Sequence, residues 1–380
     1  MKIKITDISG QGFGFTKIDK QKIFVPYSAP GDELEIEIKS ENKKFVKGEI
    51  KEILKESPCR AKPECKYFGQ CGGCLLQHVN EETYYNLKEK FIKTAISYAG
   101  YEVPQKIEIL KTGYNSRRRC VFKINSNNKL CFNKKESKEL IEIDNCPVLE
   151  NYLNELIAPL NDKLSKNLNI AKEITLTKTG NEVLISPYIE TKYSTENPQI
   201  KLGEYLIDLP EEVFLQATVK GQNYIVEEIL KNINKDEKVL DLYAGIGTYT
   251  FSIVDKVESI KAVEGVRAMT KAMDKNLSKH SLEDKIVTQK RDLYESPILW
   301  DELNKYDSII INPPRNGASP QCREITKSEV KKVIMVSCDP SSFSVDAGIL
   351  REGGYELKSV IGVDQFYMTP IVEVVAIFEK

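Results

Sequence analysis

The chain has 380 residues with 55 basic and 56 acidic side chains, a net charge of −1, which excludes a globally basic nucleic-acid binder and leaves only local patches for a polyanion. No run of 18 apolar residues occurs and the first residues show no secretory pattern, so neither a membrane span nor export is expected and the cytoplasm is the expected location. Two histidines, His78 and His280, argue against a serine-histidine triad or a multi-histidine metal site, whereas nine cysteines in a chain without an export signal favour metal ligation or thiolate catalysis over disulfides.

In chain order, residues 1–57 read as short strands punctuated by Gly10, Gly12, Pro30-Gly31 and Asn42, the pattern of a small β-barrel. A cysteine-rich loop follows from Pro58 to Gln77. Tyr84, Leu87, Phe91, Ala95 and Tyr98 then recur at helical spacing behind a cap at Asn80. Between Lys106 and Lys138 ten Lys and Arg face only Glu108 and Glu136, a local excess of eight. Interleaved with Tyr114, Phe122 and Phe132, this run reads either as a groove for a polyanion and its bases or as a solvated strand face. Mixed strand and helix continue to residue 205, giving a central α+β domain over 58–205.

Residues 206–380 are more regular. Apolar runs around Val239, Ala262, Val287, Ile310 and Ile334 alternate with helix-forming segments, and two strands close the chain. Such alternation predicts an α/β, Rossmann-like, doubly wound sheet whose ligand lies beyond the carboxyl ends of the strands. That edge carries Asp241 to Thr248, Glu264, Asp292, Asn312 to Arg315 and Cys338. Gly245 and Gly247 permit a tight turn beside a ligand, and Glu264 is placed to hold ribose hydroxyls. Thr250 stands where a third glycine would complete a dinucleotide fingerprint and no P-loop lysine follows, so S-adenosylmethionine fits better than a nucleotide phosphate.

Cys338 ends an apolar strand and precedes Asp339-Pro340, the position of an attacking thiol, although an isolated cysteine there is more often simply core. Asn312-Pro313-Pro314-Arg315 ends the neighbouring strand with a stiff turn able to present Asn312 to a planar base. Cys65, Cys71 and Cys74 surround a Gly-Gly turn, Cys146 supplies a fourth thiol, and such a set suits zinc or an iron-sulfur cluster, with Cys59 an alternative ligand.

Taken together, these motifs resemble the cysteine-dependent RNA 5-methyluridine methyltransferases over nearly the whole chain: an amino-terminal TRAM-like barrel, Cys65/Cys71/Cys74 with Cys146, Phe214-Leu-Gln216, DLYAGIGTYT, NPPR, VSCDP and TPIVE. The resemblance implies a class I methyltransferase domain. It implies that Cys65, Cys71, Cys74 and Cys146 hold a [4Fe-4S] cluster without Cys59, and that Gln216, Tyr243, Glu264 and Asn312 surround S-adenosylmethionine. Gly245 and Asp292 complete the expected cofactor contacts, from their places in the turn and at the strand ends. Cys338 is implied as nucleophile and Glu373 as general base. An RNA substrate follows, 23S ribosomal RNA favoured over transfer RNA. The chain departs from the family pattern at Asn312 (usually Asp), Asp339 (usually Asn), Ile371 (usually His), Ala244 (usually Cys) and Thr218 (usually Asn). Two alternatives remain on the residues: an exocyclic amine methyltransferase, disfavoured by Arg315 where an aromatic is usual, and a non-catalytic RNA-binding iron-sulfur paralogue.

Overall fold

The computed structural model describes residues 1–166 and 172–380. Six strands come first: β1 (Lys2–Lys4), β2 (Asp7–Ile8), β3 (Gly14–Ile18), β4 (Gln21–Val25), β5 (Glu33–Glu41) and β6 (Phe45–Lys55). They form one sheet in the order β1-β5-β6-β4-β3-β2. Its two edge strands, β1 and β2, are separated by only two residues of chain, so the sheet must curl until its edges meet, as the expected barrel requires. Alternate residues of these strands turn inward, and Ile3, Ile5, Ile23, Val25, Leu34, Ile36 and Val46 fill the interior.

Next comes α1 (Glu81–Tyr98), whose cap is the anticipated Asn80: its side chain accepts a hydrogen bond from the Thr83 amide at 2.9 Å. β7 (Glu108–Lys111) follows. The central sheet is built from β8 (Arg119–Ile124), β9 (Leu130–Asn133), β10 (Leu140–Glu142), α2 (Asn151–Glu155), α3 (Ile157–Lys166), β11 (Glu173–Thr179) and β12 (Glu182–Ser186), in the order β10-β9-β8-β11-β12. A hairpin of β13 (Gln199–Leu202) and β14 (Tyr205–Asp208) leads to α4 (Val219–Lys231).

The last unit alternates β15 (Lys238–Leu242), α5 (Thr248–Ile253), β16 (Ser259–Glu264), α6 (Arg267–His280), β17 (Ile286–Lys290), α7 (Trp300–Leu303), β18 (Ser308–Ile311), α8 (Ser319–Lys327), β19 (Lys332–Ser337) and α9 (Pro340–Glu352), and closes with β20 (Glu356–Asp364) and β21 (Glu373–Glu379). The sheet order is β17-β16-β15-β18-β19-β21-β20-β7; β15 to β19 run parallel and β21 is antiparallel to both neighbours. Successive residues such as Ile309 and Ile310 enter the cores on opposite faces, which is why these strands read as unbroken apolar runs. Strand order reverses at β15, with β16 on one side and β18 on the other, so the crevice for a ligand opens above their carboxyl ends.

Linear division of the chain misses one feature. β7 pairs in parallel with β20, and Ile92, Ala95 and Ile96 of α1 enter the same core as Ala347 and Leu350 of α9. Both elements precede the central sheet in sequence yet complete the carboxyl-terminal one. α1 also reaches the end of β20 and the loop after it around a fully buried ion pair: the Lys88 ammonium donates to Asp364 at 2.6 Å and to the Ile371 carbonyl at 2.5 Å, and the Tyr84 hydroxyl donates to Asp364 at 3.0 Å. Burial draws the Lys88 ammonium down and Asp364 opposes it. Lys88→Ala leaves a buried carboxylate without its counter-ion and is expected to lower unfolding free energy by about 3–5 kcal/mol, measured by chemical denaturation. A loss below about 1 kcal/mol would show that water enters to replace the ammonium.

Candidate active site

Cys338 is the first residue beyond β19, and Glu373 is the first residue of β21. Ser337 pairs with Val374, so the antiparallel register sets the carboxyl group beside the thiol. Burial first, and then the Glu373 charge, push the Cys338 thiol up to about 11, while Arg315 from the turn after β18 draws it down. The amino terminus of the following helix, α9, gives the thiol no side-chain-directed donors, for a physical reason. Asp339 caps α9 by accepting from the amides of Ser341 at 2.8 Å and Ser342 at 3.2 Å, so its carboxylate, rather than the thiol, takes those donors. Glu373 is 3 % exposed, and burial raises it to about 7 against the opposing pull of Gln365 and Arg315.

A chain of amides runs from this carboxylate towards the crevice. Gln365 donates to Glu373 at 2.6 Å and to the Gln216 side-chain carbonyl at 2.7 Å; Gln216 donates to the Tyr249 hydroxyl at 3.0 Å, and Asn312 donates to the same hydroxyl at 3.4 Å. Gln216 and Asn312, expected at the cofactor, therefore meet at Tyr249. Neither Gln365 nor Tyr249 stood out in the sequence, because a lone glutamine or a tyrosine inside an apolar helix carries no spacing signal.

The turn after β15 has the anticipated conformation. Tyr243, Gly245 and Gly247 take positive φ of 61°, 60° and 83°. A Cβ at Gly247 would stand 2.9 Å from the Phe251 ring, whereas one at Gly245 would meet nothing within 4 Å, so space lies open beside Gly245. Glu264 accepts from the Gly245 amide at 2.9 Å and the Val266 amide at 2.7 Å, which ties the second strand end to the glycine turn. Thr250 has a task of its own: its hydroxyl and amide hold the buried Asp241 at 2.6 and 3.2 Å. Asp292, past the end of β17, accepts from the Tyr294 amide at 2.9 Å.

Cys65, Cys71, Cys74 and Cys146 line a single cavity of about 850 Å³, together with Arg117, Arg119 and Arg315; Cys59 is not part of its wall. Burial pushes Cys74 up to about 12 and Cys146 up to about 11; Cys146, Cys71 and Cys65 add to the first shift, and Cys65 and Cys71 to the second. Among the described residues no group of three or more His, Cys, Asp or Glu side chains is arranged to hold a metal ion. Ile371 lines both this cavity and a groove of about 710 Å³ that runs past Cys338 to Phe15, Lys22 and Phe24 of the barrel and to Tyr98 of α1.

The basic run is less free than its composition suggests. Arg118 is buried, donating to the Gln216 backbone carbonyl at 2.8 Å and to Gln222 at 2.7 Å. Lys111, Lys123 and Lys134 pair with Glu81, Glu173 and Glu139. Phe122 is wholly buried and stacks on Phe132 at 4.7 Å, and Tyr114 packs edge-on against Tyr367, so these rings are committed to the protein's own packing. Tyr98, read as a core position of α1, is instead 81 % exposed at the rim of the Cys338 groove. The two histidines lie elsewhere, on backbone carbonyls of Ser28 and Leu206.

Residues 1–59 match the family model of the TRAM domain of tRNA (uracil(54)-C(5))-methyltransferase, and residues 185–380 match that of tRNA (Uracil-5-)-methyltransferase. An uncharacterized RNA methyltransferase of Caulobacter vibrioides is 32 % identical over the whole of this chain and 99 % of its own length. One from Brucella melitensis is 29 % identical over the whole chain and 98 % of its length. Among solved structures, the tRNA (uracil-54, C5)-methyltransferase of Pyrococcus abyssi, in complex with S-adenosyl-L-homocysteine, superimposes over all of both chains with a TM-score of 0.77 at 20 % identity, a likeness of fold.

Proposed function

Since the chain belongs to the uracil-5 RNA methyltransferase family and is an RNA methyltransferase, we propose that it transfers a methyl group from S-adenosylmethionine to carbon 5 of a uridine through a covalent bond to Cys338. The observation that carries this reading is the meeting of a thiol, a buried carboxylate and a guanidinium, Cys338, Glu373 and Arg315, at the carboxyl edge of the parallel sheet.

Carbon 5 of uracil is too weak a nucleophile to accept a methyl group unaided. Addition of the Cys338 thiolate at carbon 6 turns it into an enolate carbon, and Arg315, which draws the thiol down, stabilises the thiolate. S-adenosylmethionine supplies the electrophilic methyl. Glu373 then takes the carbon 5 proton, the carbon 5–carbon 6 double bond re-forms, and Cys338 leaves. Gln216, Tyr243, Gly245, Glu264, Asp292 and Asn312 are assigned to the cofactor, around the glycine turn where space lies open. The uridine must leave its stack to meet the thiol, and the groove past Cys338, with Phe15, Phe24 and Tyr98 as faces for neighbouring bases, is the assigned path of the strand.

Cys65, Cys71, Cys74 and Cys146 fit a [4Fe-4S] cluster by donor chemistry: four thiols around one cavity with no histidine in its wall. When bound, the cluster would cross-link the loop 65–74 to Cys146 and shape the wall of the cavity that Arg315 also lines; no step of the methyl transfer needs an electron. Anaerobically purified protein is expected to be brown with about four iron atoms per chain, and Cys71→Ser to lose iron and bind RNA more weakly. A colourless protein with full RNA affinity would remove the cluster from this account.

The favoured substrate is 23S ribosomal RNA over transfer RNA, on the combination of a TRAM-like barrel with the four-cysteine cavity. Mapping 5-methyluridine by mass spectrometry in both RNAs, from cells with and without the gene, tests it. A mark lost from 23S RNA is expected; one lost only from transfer RNA would reassign the substrate, and one on an exocyclic nitrogen would overturn the reaction.

A further inference from the structure

The Gln365 side chain is fully engaged. Its carbonyl oxygen accepts from the Ala217 amide at 3.0 Å, and its two amide hydrogens go to Gln216 at 2.7 Å and Glu373 at 2.6 Å. An amide has one acceptor side and one donor side, so the Ala217 N–H fixes which side faces the carboxylate. Gln365 is 1 % exposed and lies against α4 at a point kept open by glycine: a Cβ at Gly221 would stand 2.9 Å from the Gln365 Cβ. The residue before it, Asp364 at the end of β20, is held by Lys88 and Tyr84 of α1. Two elements distant in sequence, the segment 216–221 entering α4 and the helix α1, thus set one amide against one carboxylate.

From this geometry we infer that Gln365 is a positioning residue for proton abstraction, aiming the Glu373 carboxylate, keeping it ionised and tying it to Gln216 on the cofactor side; the inference rests on the reading of Glu373 as base. A donor fixed on a buried carboxylate favours its charged form. The other groups facing Glu373 are Arg315 from the turn after β18, Cys338 after β19 and Tyr249 of α5. Of these only Arg315 also supports the charge, and it is exposed. Gln365 therefore offsets part of the burial that raises Glu373 to about 7, and the base is available at neutral pH.

The test follows decay of the methylated enzyme–RNA adduct in single-turnover reactions, quenched and resolved on denaturing gels across roughly pH 5 to 9. In the wild-type protein the rate is expected to rise with pH through about 7. Gln365→Leu is expected to move this acid limb up by about one pH unit, slowing decay about tenfold at pH 6 with a plateau near wild type at high pH. Gly221→Ala keeps the amide but displaces it, and is expected to shift the limb in the same direction by less. Should Gln365→Leu fail to fold, Gln365→Met and Gly221→Ala carry the same measurement. A limb that stays at wild-type pH, with the profile unchanged or lowered uniformly, would overturn the inference and leave Gln365 a packing residue. The two levels separate through Glu373→Gln. If that protein traps the adduct while Gln365→Leu keeps the wild-type limb, only the role of Gln365 falls; if it releases methylated RNA at the normal rate, the base assignment falls and this inference with it.

Discussion

Cys338→Ala protein is expected to fold, to bind RNA and S-adenosylmethionine, and to transfer no methyl group, with a rate loss of at least about four orders of magnitude, the scale on which removal of a covalent nucleophile acts. The thiol is partly exposed, just past a strand end and outside the apolar core clusters of the described residues, so the substitution removes chemistry and little packing. Without addition at carbon 6, carbon 5 never becomes nucleophilic, and neither cofactor positioning nor the basic lining can compensate. Denaturing gels should show no protein–RNA band even with excess cofactor. A persistent band would move the nucleophile to another cysteine, and Cys322 is excluded by its complete burial in the core between sheet and helices.

Glu373→Gln interrupts the same reaction one step later. Glutamine keeps the size and can still accept the Gln365 hydrogen bond, so the site should hold its shape while losing its base. Turnover is expected to fall by about two to four orders of magnitude. Methylation itself should proceed, so label from methyl-tritiated cofactor should accumulate in a denaturation-resistant adduct at the combined size of protein and RNA. That adduct should be absent in the Cys338→Ala, Glu373→Gln double variant. Release of methylated RNA at the normal rate would rule out Glu373 as the base.

Much of this arrangement could be read from the chain because its signals are local. The Asn80 cap, the glycine turn at 245–247 and the strand-ending positions of Glu264, Asn312 and Cys338 all follow from a few adjacent residues. What escaped depends on partners distant in sequence. Lys88 and Asp364 are 276 residues apart, and Gln365 meets Gln216 across 149, so neither contact leaves a periodic trace. β7 joins a sheet whose other strands begin more than a hundred residues later, which no division by composition reveals. The basic run misleads in the opposite sense: ten cations stand together in sequence, but Arg118 is spent on Gln216 and Gln222, Lys111 and Lys123 on carboxylates from distant segments, and Lys134 on Glu139 just past the run. Counting charge along a chain cannot see which charges the fold has already paired.

In the proposed reaction carbon 5 of a uridine gains the methyl group and loses its proton. RNA transcribed with uridine tritiated at carbon 5 tests this directly, by comparing tritium released to water with methyl groups incorporated in one reaction. One tritium released for each methyl group retained by the RNA is expected, with no release from Cys338→Ala. Methyl incorporation with the tritium kept in the RNA would contradict it, because the methyl group would then reside on an atom other than carbon 5.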